Sequence, residues 1–109
     1  MVLGLAPDGG LFIPEELPRV TAEELEALRR MDYNGRAETI MGKFLEEFSP
    51  EELWEHVTAA YGPGFNEEGL TAPLHILDDK TAVLELFHGP TCAFKDMALQ
   101  IMPGSWSPL

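Results

Sequence analysis

The sequence predicts an α/β protein, more closely an α+β arrangement in which helices come first and a hairpin and one further helix follow. Three observations support this: two capping boxes within residues 21–61, two apolar runs at 74–77 and 83–87, and a Gly-Pro turn before the last helical segment. The same change of pattern predicts a helical domain over residues 1–72 and a second unit over residues 73–109.

The first two helices are predicted from their start signals. Thr21 and Glu24 have the spacing of a capping box, which places a helix over about residues 21–31. The second helix extends to about Phe48, with Asp32 as its possible cap, because apolar side chains recur there at helical spacing.

The third helix has the clearest start, because Ser49, Pro50 and Glu52 combine a cap, a first-turn proline and a capping box. The glycines and proline at 62–64 end it. Its apolar face is expected to form a helical core together with Phe44. The residues of that face are Leu53, Trp54, Val57, Ala60 and Tyr61.

Extended segments are predicted at both ends of this helical stretch. Residues 1–20 form a loop broken by proline and glycine, in which residues 11–13, Leu-Phe-Ile, are a possible short buried strand. The runs 74–77 and 83–87 predict two strands joined by a tight connection. The second run is apolar on both faces apart from Glu85, which is typical of a sheet covered on both sides.

Charge and cysteine content exclude several classes of function. Nineteen acidic residues against seven basic ones give a net charge of −12, which argues against binding to nucleic acid or to an anionic membrane. No stretch approaches the roughly 20 apolar residues of a membrane span, and the N-terminus lacks the pattern of a signal peptide. The single cysteine, Cys92, excludes an internal disulfide and favours a reducing, cytoplasmic compartment. Three scattered histidines indicate no metal site.

Polar residues gather at 88–96, after the second strand, and the carboxyl ends of strands are where ligands bind in open α/β sheets. Lys95 falls in the first turn of a helix predicted from Ala93 to about Met102, where the helix macrodipole disfavours a cation. Its apolar neighbours favour the neutral amine, which can condense with an aldehyde. The alternative is an ordinary surface lysine, with Asp96 as a helix-start carboxylate.

Two segments resemble threonine synthases. Residues 6–15, Ala-Pro-Asp-Gly-Gly-Leu-Phe-Ile-Pro-Glu, resemble an N-terminal signature of that family. Residues 85–96, Glu-Leu-Phe-His-Gly-Pro-Thr-Cys-Ala-Phe-Lys-Asp, resemble its cofactor-lysine segment. The resemblance implies a small N-terminal domain before a tryptophan-synthase-β-like domain of fold type II. It also implies conversion of O-phospho-L-homoserine and water into L-threonine and phosphate. Lys95 matches the lysine that holds pyridoxal phosphate and moves protons on the substrate.

The resemblance leaves several points open. Thr91 could meet a cofactor or substrate phosphate, or cap the following helix, and His88 could contact substrate or be a structural turn residue. The family continues far beyond the lysine, and its glycine-rich phosphate loop does not occur here, so the chain alone is expected to show little or no catalysis. The competing interpretation is a non-catalytic module that dimerises, or exchanges residues 81–102, through an exposed strand and helix.

Overall fold

A computed structural model describes residues 5–62, 64–65 and 70–102 of the chain. Three helices precede a two-stranded antiparallel sheet, and a short helix follows it. The elements are α1 (Ala22–Arg30), α2 (Tyr33–Gly42), α3 (Pro50–Ala60), β1 (Leu74–Ile76), β2 (Ala82–Leu84) and α4 (Asp96–Leu99). The predicted order of helices, hairpin and final helix is confirmed.

The helix starts are those that the capping signals predict. The Thr21 hydroxyl accepts a hydrogen bond from the Glu24 backbone N–H, and the Glu24 carboxylate accepts one from the Thr21 N–H. Ser49 and Glu52 form the same reciprocal pair at the start of α3. The Asp32 carboxylate accepts from a backbone N–H of the first turn of α2, so its predicted role as a cap is also confirmed.

Two helices are shorter than predicted. α2 ends at Gly42, and the chain continues to Phe48 in turns. In one of these turns the Phe44 N–H donates a hydrogen bond to the carbonyl of Met41, three residues earlier. The last helix begins at Asp96 rather than Ala93. At its start, the N–H groups of Asp96 and Met97 donate to carbonyls three residues earlier in the chain. These 3₁₀-type turns take the place of the first turn of the predicted α-helix.

The hairpin pairs Leu74 with Leu84 and Ile76 with Ala82, and the Asp78 carboxylate accepts a hydrogen bond from the Lys80 N–H in the connection. All residues of both strands are exposed. The expected cover on both faces of the second strand is therefore wrong for the described part of the chain, because no described element lies over the sheet.

The predicted strand at residues 11–13 is also wrong. This segment has no strand pairing, and Leu11 and Ile13 are 76% and 83% exposed. The described sheet consists of β1 and β2 alone, and Pro14 cannot donate to a sheet ladder.

The core lies where α3 meets α2 and the segment around α4. Its buried cluster consists of Val57, Tyr61 and Phe65. Partly buried side chains pack against this cluster, namely Tyr33, Ala37, Met41, Ala60, Met97 and Ile101. Trp54 and Phe44, which were expected in the core, are 44% and 47% exposed and are not among the side chains packed against this cluster. Met97 and Ile101 reach the core from beyond residue 72, and the division of the chain at that residue stays a prediction.

Candidate functional site

A contact between the side chains of Glu85 and His88 stabilises the segment that follows β2. The Nε2 atom of His88 lies 2.6 Å from the Glu85 carboxylate, and both side chains are about three-quarters buried. The His88 ring also stacks obliquely on Phe87, with 4.5 Å between the ring centroids. These contacts agree with a structural role for His88 in the turn, and its contact with substrate stays a prediction.

A second pair of residues closes the loop before α4. The Thr91 N–H donates to Oδ2 of Asp96 at 2.8 Å, and the Thr91 hydroxyl lies 2.9 Å from both carboxylate oxygens. Because the Thr91 hydroxyl proton is directed at Asp96, this hydroxyl has only its lone pairs to offer to another group. Lys95, not Thr91, occupies the N-cap position of α4, so the capping alternative for Thr91 is wrong.

Glycine is required at the base of this loop. A Cβ atom at Gly89 would lie 2.5 Å from both Cβ and Oδ2 of Asp96. The Cys92 N–H donates to the Gly89 carbonyl at 3.0 Å, and Cys92 itself has a φ of 58°. Cys92 is the one residue other than glycine, among those described, that adopts this left-handed conformation. The Gly89 backbone therefore lies against the Asp96 side chain, and Cys92 is held in a strained conformation.

Lys95 lies at the end of this loop, with φ −61° and ψ −23° and no side-chain cap. Its side chain is exposed, and so are those of its neighbours Ala93 and Phe94. The apolar enclosure expected around the lysine is thus absent from the described part of the chain. Within that part the Lys95 amine also has no hydrogen bond and no ion pair, whereas Lys43 is paired with Glu24 at 2.6 Å.

The sequence did not reveal two residues that hold this segment in place. Asp96 was considered only as a helix-start carboxylate, but it is also almost fully buried, with 1% of its surface exposed. Tyr61 was expected to be a core residue, but its hydroxyl also donates to the Met97 carbonyl at 2.6 Å. The five-residue spacing from Thr91 to Asp96 was the signal for the first contact, whereas the second joins residues 36 positions apart and has no local signal.

The described residues contain no group of three or more potential metal ligands. Among their helices none has the length and the apolar character that a bilayer span needs. A shallow depression on the α2–α3 side is lined by Glu38, Trp54 and nearby residues, and Lys95 is not among them.

Comparison with known proteins identifies the family. The family model described as "Threonine synthase N terminus" matches residues 1–61. The chain belongs to this family. Threonine synthases of Methylobacillus glycogenes and Schizosaccharomyces pombe are 39% and 43% identical to it over 107 and 101 residues, in each case 91% of the chain. The chain spans 22% and 19% of the lengths of these two relatives.

Solved structures agree with this assignment. A crystal structure of PLP-bound threonine synthase from Brucella melitensis matches with a TM-score of 0.85 and 42% identity, over 93% of this chain and 22% of that one. The yeast threonine synthase matches with a TM-score of 0.77 and 34% identity, over 92% of this chain and 21% of that one. The predicted resemblance to the N-terminal part of threonine synthase is therefore confirmed.

Proposed function

We propose that this chain contributes the cofactor-bearing lysine, Lys95, to a pyridoxal-phosphate-dependent threonine synthase. The reaction converts O-phospho-L-homoserine and water into L-threonine and phosphate. The proposal rests on the amine of Lys95, accessible and unpaired within the described structure, which follows the loop that Thr91 and Asp96 close by hydrogen bonds. The chain matches the structure of PLP-bound threonine synthase over 93% of its length.

The chemistry of Lys95 fits the cofactor. An amine condenses with an aldehyde only when it can be reached and is not held by an anion. Lys95 and Lys80 both meet these conditions among the described residues, whereas Lys43 is held by the Glu24 carboxylate and by the Arg19 carbonyl. The resemblance of residues 85–96 to the cofactor-lysine segment of the family favours Lys95 over Lys80. When bound, pyridoxal phosphate supplies an electron sink for reactions at the substrate carbons. The part of Lys95 is to hold the cofactor through Nζ and to carry protons on the same atom.

Thr91 and His88 are assigned secondary parts near this amine. The lone pairs of the Thr91 hydroxyl can accept from a substrate group, while its proton stays on Asp96. His88 has one ring nitrogen on Glu85, which leaves Nδ1 to contact the substrate. The free, exposed thiol of Cys92 supports a reducing, cytoplasmic compartment for the protein.

The chain by itself is expected to bind the cofactor weakly and to turn over little or no substrate. A single exposed amine supplies one bond, whereas orientation for catalysis needs further contacts to the phosphate and the ring.

Titration with pyridoxal phosphate tests the role of Lys95. We expect the purified protein to develop a weak absorption band of lysine-bound cofactor as cofactor is added in excess, and Lys95→Ala to lose it. Lys80→Ala is the matched control, because Lys80 is another exposed lysine, in the hairpin connection. A band of equal strength in Lys95→Ala and Lys80→Ala contradicts the proposal.

The exposed hairpin favours a second candidate function, a module for self-association. Leu84 is 55% exposed and Leu74 is 60% exposed, and the two are paired across the hairpin. Further apolar side chains that are about half exposed or more continue through the following segment, namely Phe87, Phe94, Leu99 and Met102. A second copy that pairs with a hairpin edge, or that exchanges residues 81–102, would cover this surface.

Light scattering over a range of protein concentrations tests this second candidate. We expect a dimer whose dissociation is promoted by Leu84→Lys, because a charge then enters the apolar face. Leu17→Lys is the control, since Leu17 is 76% exposed and lies outside the hairpin. A strictly monomeric protein at high concentration rules this candidate out and leaves the proposal for Lys95 intact.

A further inference from the structure

We infer that the Asp96 carboxylate is a positioning residue that holds the loop bearing Lys95 in one conformation, an inference that rests on the proposed function of Lys95. Asp96 is 1% exposed, and no other charged side chain among the described residues is as deeply buried. A carboxylate is costly to bury, so a buried one is expected to make strong hydrogen bonds.

The donors that compensate this burial come from one residue. In the described structure the Asp96 carboxylate accepts from the Thr91 N–H at 2.8 Å and from the Thr91 hydroxyl at 2.9 Å. Thr91 is five positions earlier, so these bonds close a loop that contains residues 92–95. Hydrogen bonds to an ionised acceptor are about twice as strong as neutral ones, which makes this an effective closure.

The loop is also fixed from its base. Gly89 lies so close to Asp96 that a Cβ atom would come within 2.5 Å of the carboxylate, and Cys92 keeps a left-handed conformation. A strained conformation of this kind persists only where the surrounding contacts impose it.

These contacts determine the backbone of Lys95, although none involves its side chain. Lys95 directly precedes Asp96, and its amine has no partner among the described residues. The place from which this amine acts is therefore set by the Thr91–Asp96 closure. A fixed backbone limits the positions that the amine can reach, and a displacement of about 1 Å can cost a large factor in reactivity.

Reductive labelling can test this inference without a measurement of turnover. The protein is treated with pyridoxal phosphate and borohydride, and peptide mass spectrometry gives the yield at Lys95 relative to Lys80 in the same molecules. We expect Thr91→Val, which removes only the hydroxyl donor, to lower this ratio toward 1. Thr91→Ser restores the hydroxyl and should restore the ratio. Asp96→Asn, which presents an amide to the Thr91 donors, should lower the ratio as Thr91→Val does.

A destabilised control separates positioning from general stability. Leu28 is 8% exposed in α1, so Leu28→Ala should lower the free energy of unfolding and leave the labelling ratio unchanged. A ratio that survives both Thr91→Val and Asp96→Asn, or that falls equally in Leu28→Ala, overturns the positioning role alone. Equal labelling of Lys95 and Lys80 in the unaltered protein overturns the cofactor assignment and the positioning of a reactive amine together.

Discussion

The Tyr61 hydroxyl donates a hydrogen bond of 2.6 Å to the backbone carbonyl of Met97. Tyr61 is the C-cap of α3 and is 5% exposed, while Met97 is in α4, two residues beyond Lys95. The same tyrosine ring packs edge-on against Tyr33 and Phe65. One side chain thus provides both core packing and a polar contact between the helical layer and the lysine segment.

The burial of Tyr61 predicts a loss of stability at alkaline pH. Burial, with a smaller effect of a charge on Tyr33, raises the pKa of Tyr61 to about 12 from 10.0. The folded state then keeps the phenol proton that the unfolded state loses, so stability is full below pH 10 and falls as the pH rises toward 12. We expect a loss on the order of 2 kcal/mol in urea unfolding between those pH values.

Tyr61→Phe is the decisive variant for this pH dependence. It should be less stable at neutral pH by about 1 kcal/mol, the usual net value of a hydrogen bond, and should decline less at alkaline pH. Tyr33→Phe is the control, because burial raises the pKa of Tyr33 too but Tyr61 remains. If both variants decline as steeply as the unaltered protein, the burial of the Tyr61 phenol has no role in the pH dependence.

Acid should weaken the connection between α1 and the end of α2. The hydrogen bond from Lys43 at 2.6 Å, followed by the bond from the Thr21 N–H, lowers the pKa of Glu24 below 4.5. Because the pKa of Glu24 is lower in the folded than in the unfolded state, its contribution to stability is present above the unfolded pKa. That contribution is lost as the pH falls through the folded pKa.

Glu24→Gln should therefore lower the thermal midpoint at pH 7 and have little effect in acid, since glutamine keeps the capping hydrogen bond. Glu26→Gln is the matched control on the same helix, because Glu26 forms only exposed pairs with Arg29 and Arg30. Thermal unfolding at several pH values measures both, and equal losses in the two variants at pH 7 would refute the assignment.

The sequence predicted the features that depend on neighbouring residues. Thr21 with Glu24, and Ser49 with Glu52, are three residues apart, so a short stretch of sequence contains all the atoms that start each helix. The exposure of Leu84 could not be predicted in this way, because burial depends on which other segments lie over the strand.

The same distinction applies to the candidate site. Lys95 could be singled out from its segment, but the enclosure expected around it depends on residues distant in sequence. Asp96 does lie at a helix start, but its burial could not be predicted, because that burial follows from the fold of the preceding loop and charged side chains are ordinarily exposed.

Gly89→Ala should disrupt the loop directly. The new methyl group would lie 2.5 Å from Cβ and Oδ2 of Asp96, and overpacking of this kind costs about 1–3 kcal/mol. Gly64→Ala is the matched control, since its methyl group would meet only Pro90 Cγ at 3.7 Å, an ordinary contact. Urea unfolding measures both variants, and equal stabilities would show that the loop yields without cost.

Substitution by glycine at Cys92 and at its neighbour Ala93 should change the free energy of unfolding in opposite directions. Its φ of 58° costs a side-chain-bearing residue about 1–2 kcal/mol, and glycine removes that cost. Glycine also makes the unfolded chain more flexible, which offsets about 0.5–1 kcal/mol. Cys92→Gly should therefore raise the free energy of unfolding by about 0.5 kcal/mol. Ala93→Gly, at an exposed neighbour without positive φ, should lower it by about as much as that offset.

Cys92→Val extends the test in the other direction. Valine is branched at Cβ and tolerates a left-handed conformation poorly, so this variant should lose about 1 kcal/mol or more relative to the cysteine. Urea unfolding under reducing conditions compares all three variants and keeps thiol oxidation out of the measurement. If Cys92→Gly loses as much stability as Ala93→Gly, the left-handed conformation of Cys92 stores no strain. The Thr91–Asp96 hydrogen bonds would then hold the loop before Lys95 without having to overcome such strain.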